Sequence, residues 1–209
     1  MNPIVNKKLI FSALVAGAAL TSTSLSAQVS KNAGLLLNVH AQATGLAVED
    51  EDAETGFGGG IIAGYGFNEN LSVYLALDGA SVSYSDDDAD GEKYTLAQAD
   101  LGLRYTFGST ASALRPYLNG AISGVGVSDE FEDEDSGESV DVSYTGPGVT
   151  FGAGVQYFFN PKLAIDGSIQ VSAGKLTTFK IDGEEFGGED DDDPSFTTSR
   201  LQIGLSWHP

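Results

Sequence analysis

From Ala33 to Trp207, apolar residues return at every second position, segment after segment. In Ala33–Gly45, Leu35, Leu37, Val39, Ala41 and Ala43 fall on one side, and Asn38, His40, Gln42 and Thr44 on the other. A period of two held this long is a β-strand with an apolar medium on one face only. The pattern recurs over Phe57–Phe67, Leu71–Tyr84, Tyr94–Phe107, Tyr117–Ser128, Gly148–Phe158, Leu163–Phe179 and Phe196–Trp207. In most of these segments the two faces read clearly. Leu71, Val73, Leu75 and Leu77 oppose Ser72, Tyr74, Ala76 and Asp78; Leu201, Ile203, Leu205 and Trp207 oppose Arg200, Gln202, Gly204 and Ser206. Tyr117–Ser128 is too rich in glycine for its faces to be assigned. Eight such strands predict an up-and-down antiparallel meander.

The punctuation between strands is of two kinds. Four acidic stretches, Glu49–Glu54, Asp86–Glu92, Asp129–Asp141 and Asp182–Asp193, hold 26 of the 30 acids. They alternate with turns at Asn68-Glu69-Asn70, Gly108–Pro116 and Asn160-Pro161-Lys162. Phe67-Asn68-Glu69-Asn70-Leu71-Ser72-Val73 and Phe159-Asn160-Pro161-Lys162-Leu163-Ala164-Ile165 echo one another as a repeated hairpin.

Ahead of the first strand, Lys7 and Lys8 precede a twelve-residue apolar run, Leu9–Leu20, and Leu25-Ser26-Ala27 offers a small-residue cleavage site. That is the layout of a secretory signal peptide, residues 1–27, leaving 28–209 as one domain. Removing Lys7 and Lys8 takes the net charge from −20 to −22 (−20 − 2). Such a chain repels phosphates and excludes nucleic acid as a partner. Cysteine is absent, which rules out disulfides and thiol chemistry.

Alternation alone does not say which face meets water, because a lipocalin-type barrel also has eight strands. Three features favour lipid outside. The strands are long enough to cross a bilayer at a tilt, about ten residues each. Aromatics gather beside the turns, as Tyr65, Phe67, Tyr105, Phe107, Tyr157, Phe158 and Phe159, with Trp207 near the end, and predict an interfacial girdle. The other face carries Asp, Arg, Gln, Ser and Gly, which suits a narrow polar lumen. The expected fold is all-β, an eight-stranded antiparallel transmembrane β-barrel. Its four long acidic loops face outward and its short turns face the periplasm.

Gly64-Tyr65-Gly66-Phe67-Asn68, Arg115-Pro116-Tyr117 and the final Leu201-x-Ile203-x-Leu205-x-Trp207 resemble the small eight-stranded outer-membrane β-barrel family. This is the OmpA-transmembrane-domain, OmpX and OmpW group of porin-family proteins in Gram-negative outer membranes. The resemblance implies recognition of the last strand by the outer-membrane assembly machinery, although the family usually ends on the aromatic and here His208 and Pro209 follow. It also implies outer-membrane lipid and lipopolysaccharide as surroundings. It carries no particular activity.

Candidate sites are few. Asp78, Asp100, Arg104, Asp166 and Arg200 should point into the lumen, where charges must pair or be hydrated. They read either as a plug that holds the barrel's shape or as the lining of a gated path for water or ions. Asp86, Asp88, Asp90 and Glu92 begin like a calcium loop, but Ala97 stands where the bidentate glutamate belongs. Such carboxylates hold calcium or magnesium loosely at best; no other cofactor is implied. A hydrolytic barrel needs a histidine at its outer rim. His40 falls mid-strand and His208 at the opposite end. The sequence therefore points to a monomeric, non-enzymatic barrel with a structural or surface-interaction role; the alternative is a narrow porin-like channel.

Overall fold

A computed structural model describes residues 31–49, 53–84, 93–132, 139–181, 184–186 and 194–209. The strands are β1 (Gly34–Val48), β2 (Glu54–Gly66), β3 (Leu71–Ser83), β4 (Lys93–Thr106), β5 (Leu114–Glu132), β6 (Ser139–Asn160), β7 (Leu163–Lys175), β8 (Thr178–Ile181), β9 (Glu184–Phe186) and β10 (Ser195–Trp207). They form one antiparallel sheet in the order β5-β4-β3-β2-β1-β10-β7-β6-β8-β9, and a further β5–β6 pairing closes it. Eight strands, β1 to β7 and β10, thus make a closed barrel, and β8–β9 is a short hairpin added to β6. The closing seam runs from Leu37↔Trp207 to Val48↔Phe196. Closure leaves the wall no free sheet edge, the condition for a sheet to sit in lipid.

The period of two sets the faces. Along β4 every second residue is buried and every other one exposed. Outside lie Val39, Ile61, Leu77, Leu103, Phe151, Ile203 and their neighbours. Inside lie Asn38, His40, Asp78, Gln98, Arg104, Gln170 and Arg200. Leu and Ile outward with Arg and Asp inward is the reverse of a soluble barrel. In β5, Arg115, Tyr117, Asn119, Ser123 and Val125 point in, while Leu118 and Ile122 point out.

The echoed hairpins share a mechanism. Asn68 Oδ1 accepts from the N–H groups of Asn70 (2.8 Å) and Leu71 (2.9 Å). Asn160 Oδ1 accepts from Lys162 N–H (2.9 Å). Asparagine closes both turns through its own side chain. The third turn uses Gly108, at φ 85°, a conformation costly for other residues.

The strand expected over Leu163–Phe179 is interrupted. β6 pairs with β7 up to Gly148↔Gly174 and with β8 from Thr145↔Thr178. Two residues, Gly146 and Pro147, therefore oppose three, Lys175, Leu176 and Thr177, which is a β-bulge. Pro147 has no N–H to offer the ladder. A side chain at Gly146 would strike the Lys175 carbonyl, so the strands cross very closely here. Leu176 keeps the inward register of Gln170, Ser172 and Gly174 and is buried; the extra residue shifts the alternation beyond it, so that Phe179 pairs with Tyr144. β5 and β6 are also longer than expected. Their pairing continues to Glu132↔Ser139, whereas β4 leaves β5 at Ser128. Beyond the barrel, β5, β6, β8 and β9 thus stand as a four-stranded tongue, and strands reach into the acidic stretches.

At the same end, Ser195 donates through its hydroxyl (2.9 Å) and N–H (3.3 Å) to Glu49 Oε2. These bonds hold the Glu49 carboxyl below its usual pKa range.

Candidate functional site

The lumen is built in layers. In the middle, the Arg200 guanidinium joins two carboxylates: Nη1 bonds Asp78 Oδ2, and Nη2 lies 2.8 Å from Asp100 Oδ2. Nη2 also reaches Gln170 Oε1 at 3.1 Å. His40 Nε2 is 2.8 Å from Asp78 Oδ1 and Nδ1 is 3.0 Å from Asn38 Oδ1. Gln98 Nε2 donates to Asp100 Oδ1 and Ser172 Oγ, both at 2.8 Å. Gly60 makes the room: a side chain there would collide with Asp78 Oδ1 and come within 3.0 Å of His40 Nε2.

One layer toward the turns, Arg104 lies over the Tyr117 ring, 4.0 Å from its centroid, with Tyr74 at 5.6 Å. Its Nη1 is 3.5 Å from Asp166 Oδ2, and Tyr117 O–H donates to Asp166 Oδ1 at 2.6 Å. The five charged residues singled out from the sequence thus fall into two sets. Asp78, Asp100 and Arg200 form one, joined by His40. Arg104 and Asp166 form the other, sandwiched by tyrosines. Desolvation makes a lone charge here costly, so each is held by a partner of opposite sign.

Both ends of the lumen are narrowed by residues outside the charged set singled out from the sequence. At the loop end, Leu46, Val82, Tyr94, Leu96, Val125, Leu176 and Phe196 pack into a buried apolar cap. They occupy the same inward register as the charges below them, so the lumen is polar only in part. Six of them come from β1, β3, β4, β5 and β10, which also carry inward polar residues. Leu176 follows the inward parity of β7, one step past Gly174. At the turn end, His208 is buried and packs on Phe158, ring centroids 5.2 Å apart. Its backbone N–H donates to Lys162 O at 2.7 Å, and Lys31 Nζ donates to Pro209 O at 2.5 Å. Burial, reinforced by Arg104 and Lys31, pushes the His208 imidazole down to about 4. Neither ring nitrogen has a hydrogen-bond partner among the described residues.

The outer wall near the turns carries exposed aromatics. Tyr65–Phe67, Tyr105–Phe107 and Tyr157–Phe159 form three edge-to-face pairs, at 6.1, 5.0 and 5.6 Å, and Trp207 is exposed at the end of β10. Phe158, expected among them, is fully buried under the barrel mouth, because consecutive strand residues take opposite faces.

A family model described as outer membrane protein beta-barrel domain matches residues 13–208. The chain belongs to this family. Curated proteins give no match to it. Among solved structures, the chain is similar to neisserial surface protein A, at 17% identity and TM-score 0.63, with 84% of this chain and 97% of that one covered. It is similar to a major outer membrane protein of Thermus thermophilus, at 13% identity and TM-score 0.57, with 83% and 98% covered. OprG of Pseudomonas aeruginosa gives 16% identity and TM-score 0.51, with 86% and 98% covered. At these identities the likeness is one of fold.

Membership orients the molecule. In an outer membrane barrel the short turns face the periplasm and the long connections face outward. The aromatic pairs therefore mark the periplasmic interface, His208 the periplasmic mouth, and the apolar cap with its tongue the outer face. Asp86, Asp88, Asp90 and Glu92 lie outside the described residues, as does the segment read as a signal peptide. Among the described residues, no three His, Cys, Asp or Glu gather as a metal-binding cluster. His40 sits deep in the lumen, with the Asn38 amide between it and Ser206.

Proposed function

We propose that this outer membrane protein is a closed, non-enzymatic barrel that stabilises the envelope and presents its outer face to partners. One observation carries the reading. Seven side chains, none charged, fill the outer mouth, and a dry apolar constriction bars ions and water. Below it, paired charges lock the strands and leave little free lumen, as expected of eight strands. The His40–Asp78 pair is buried from the surface, and this supports a structural role over a catalytic one. Outer-membrane lipid, lipopolysaccharide and the assembly machinery acting on β10 complete the expected partners, and the protein acts as a monomer.

A narrow channel remains the second reading, and one observation favours it. Arg104 Nε, Arg200 Nε and Asn119 Oδ1 are buried without partners among the described residues, so the lower lumen suits hydration. Single-channel recording of the folded protein in a planar bilayer separates the two. A closed barrel inserts and passes no steady current. Stable steps altered by Asp100→Asn would replace this reading with the channel.

A further inference from the structure

The outer wall of the barrel is not evenly filled. Across β3, β4 and β5 the outward positions Gly79, Ala97 and Gly126 stand side by side, and in the row beneath them Ala99 stands beside Gly124. Leu77 borders this patch on one side. Thr145 and Pro147 border it on the other, where β6 meets the bulge. The next row toward the turns is large again, with Leu75, Leu101, Ile122 and Val149. A small floor between larger rims leaves a hollow of about 750 Å³, within the usual range of a ligand pocket. A Cβ added at Gly79 or Gly124 meets nothing within 4 Å, so the hollow is open to the outside of the wall.

Height along the barrel selects the occupant. Tyr105 marks the periplasmic interface. At about 3.3 Å per residue and a tilt of about 40°, Ala99 and Ala97 stand about 15–20 Å further out along β4, within an apolar band about 25 Å tall. The hollow is therefore continuous with the lipid-facing wall and lies in its outer half. Hydrocarbon is the medium there, and a fixed hollow forfeits van der Waals contact unless a chain fills it. Above it the outward rows change character. Ser81, Thr95, Ser128 and Ser143 form a line of hydroxyls near the outer interface, and Lys93, exposed, follows Thr95 on the same face of β4. On β5 and β6 the next row out is acidic, Glu130 beside Asp141, so the cationic foothold is on β4. Hydroxyls and an ammonium at headgroup height suit a phosphorylated sugar.

We infer that this hollow seats one acyl chain of lipopolysaccharide, with a phosphate of the lipid on Lys93 and its sugar against Thr95 and Ser128. The chain lies over Ala97, Ala99 and Gly124, where the missing side chains leave it room. The inference rests on the reading of lipopolysaccharide as a partner and gives that partner a single place on the wall.

The test is native mass spectrometry of the folded protein released from detergent micelles and titrated with lipid A carrying its phosphates. Dephosphorylated lipid A and phosphatidylethanolamine are the comparisons. The expected result is saturable retention of one lipid A per barrel, with phosphatidylethanolamine held more weakly. Gly124→Leu with Ala97→Leu fills the hollow and should weaken lipid A about tenfold. Lys93→Gln should weaken it about threefold and leave the dephosphorylated lipid unchanged. Lipid A binding indifferent to the filled hollow would keep lipopolysaccharide as a partner and overturn this seat, whereas no lipid A binding at all would overturn both. Equal retention of phosphatidylethanolamine, or a protein dimer that the filled hollow abolishes, would give the hollow to another occupant and overturn the inference. Heat-modifiable migration on a gel reports that the variant is folded. If the double variant loses that migration, Gly124→Leu alone, whose added side chain starts in open space, is judged by the same criteria.

Discussion

Two parts of one lumen occupy equivalent inward positions and do opposite things. Midway along the strands, inward residues are Asp78, Asp100, Arg200, His40 and Gln98, tied by short hydrogen bonds. A few residues further on, the same faces carry Val82, Leu96, Phe196 and Leu46. The first region specifies geometry, because a buried charge tolerates few positions. The second excludes water and tolerates more, because apolar contacts have no direction. A barrel wall needs both: directional ties where strands must hold register, and a seal where the lumen meets the outside.

The difference can be broken from the polar side with the largest effect. Arg200→Leu strands two buried carboxylates and should cost about 3–5 kcal/mol in urea-dependent unfolding. Adding Asp78→Asn and Asp100→Asn should recover most of that loss. Failure to recover would mean that the guanidinium acts by packing and not by charge. The periplasmic mouth comes next. The His208 imidazole is held down near 4, against about 6.5 when unfolded. The unfolded chain therefore binds a proton that the folded one refuses, and stability falls as pH drops from about 6.5 to about 4. The loss is about 3 kcal/mol. A series of urea titrations across that window should show the slope in the parent and its absence in His208→Phe. The smallest effect belongs to the apolar cap. Leu176→Ala should cost about 2 kcal/mol, the low end for a buried leucine, since the site borders a bulge that can relax. A larger loss would mean that the cap, not the charge network, sets stability.

Much of this molecule was legible because membrane barrels obey a strict period of two. Strands such as Lys93–Thr106 match their expected span within a residue, and the placement of Asp78 and Arg200 in the lumen follows from parity alone. Pairing does not follow from parity. That Arg200 bridges Asp78 and Asp100 while Arg104 turns to Tyr117 depends on strand stagger, which sequence alternation does not encode. The bulge was hidden for a similar reason. Gly146-Pro147 lies opposite Leu176, but only the register reveals that two residues face three. Phe158 shows the opposite error: clustering by residue type overrode the alternation that places it inside. The tongue escaped notice because its acids read as loop, although their neighbours Val140, Val142 and Ile181 keep the strand rhythm.

The seam between β1 and β10 has a consequence in time. Asn38 and Ser206, 168 positions apart, share a hydrogen bond across it, whereas all other neighbouring barrel strands are also consecutive along the chain. Seven hairpin pairings can therefore form locally as the polypeptide arrives, and the eighth waits for the last thirteen-residue strand. Until then both rims of the sheet are open and unfit for hydrocarbon. Insertion and completion of the chain are in this way a single event, and the final strand acts as the clasp that commits the molecule to the membrane.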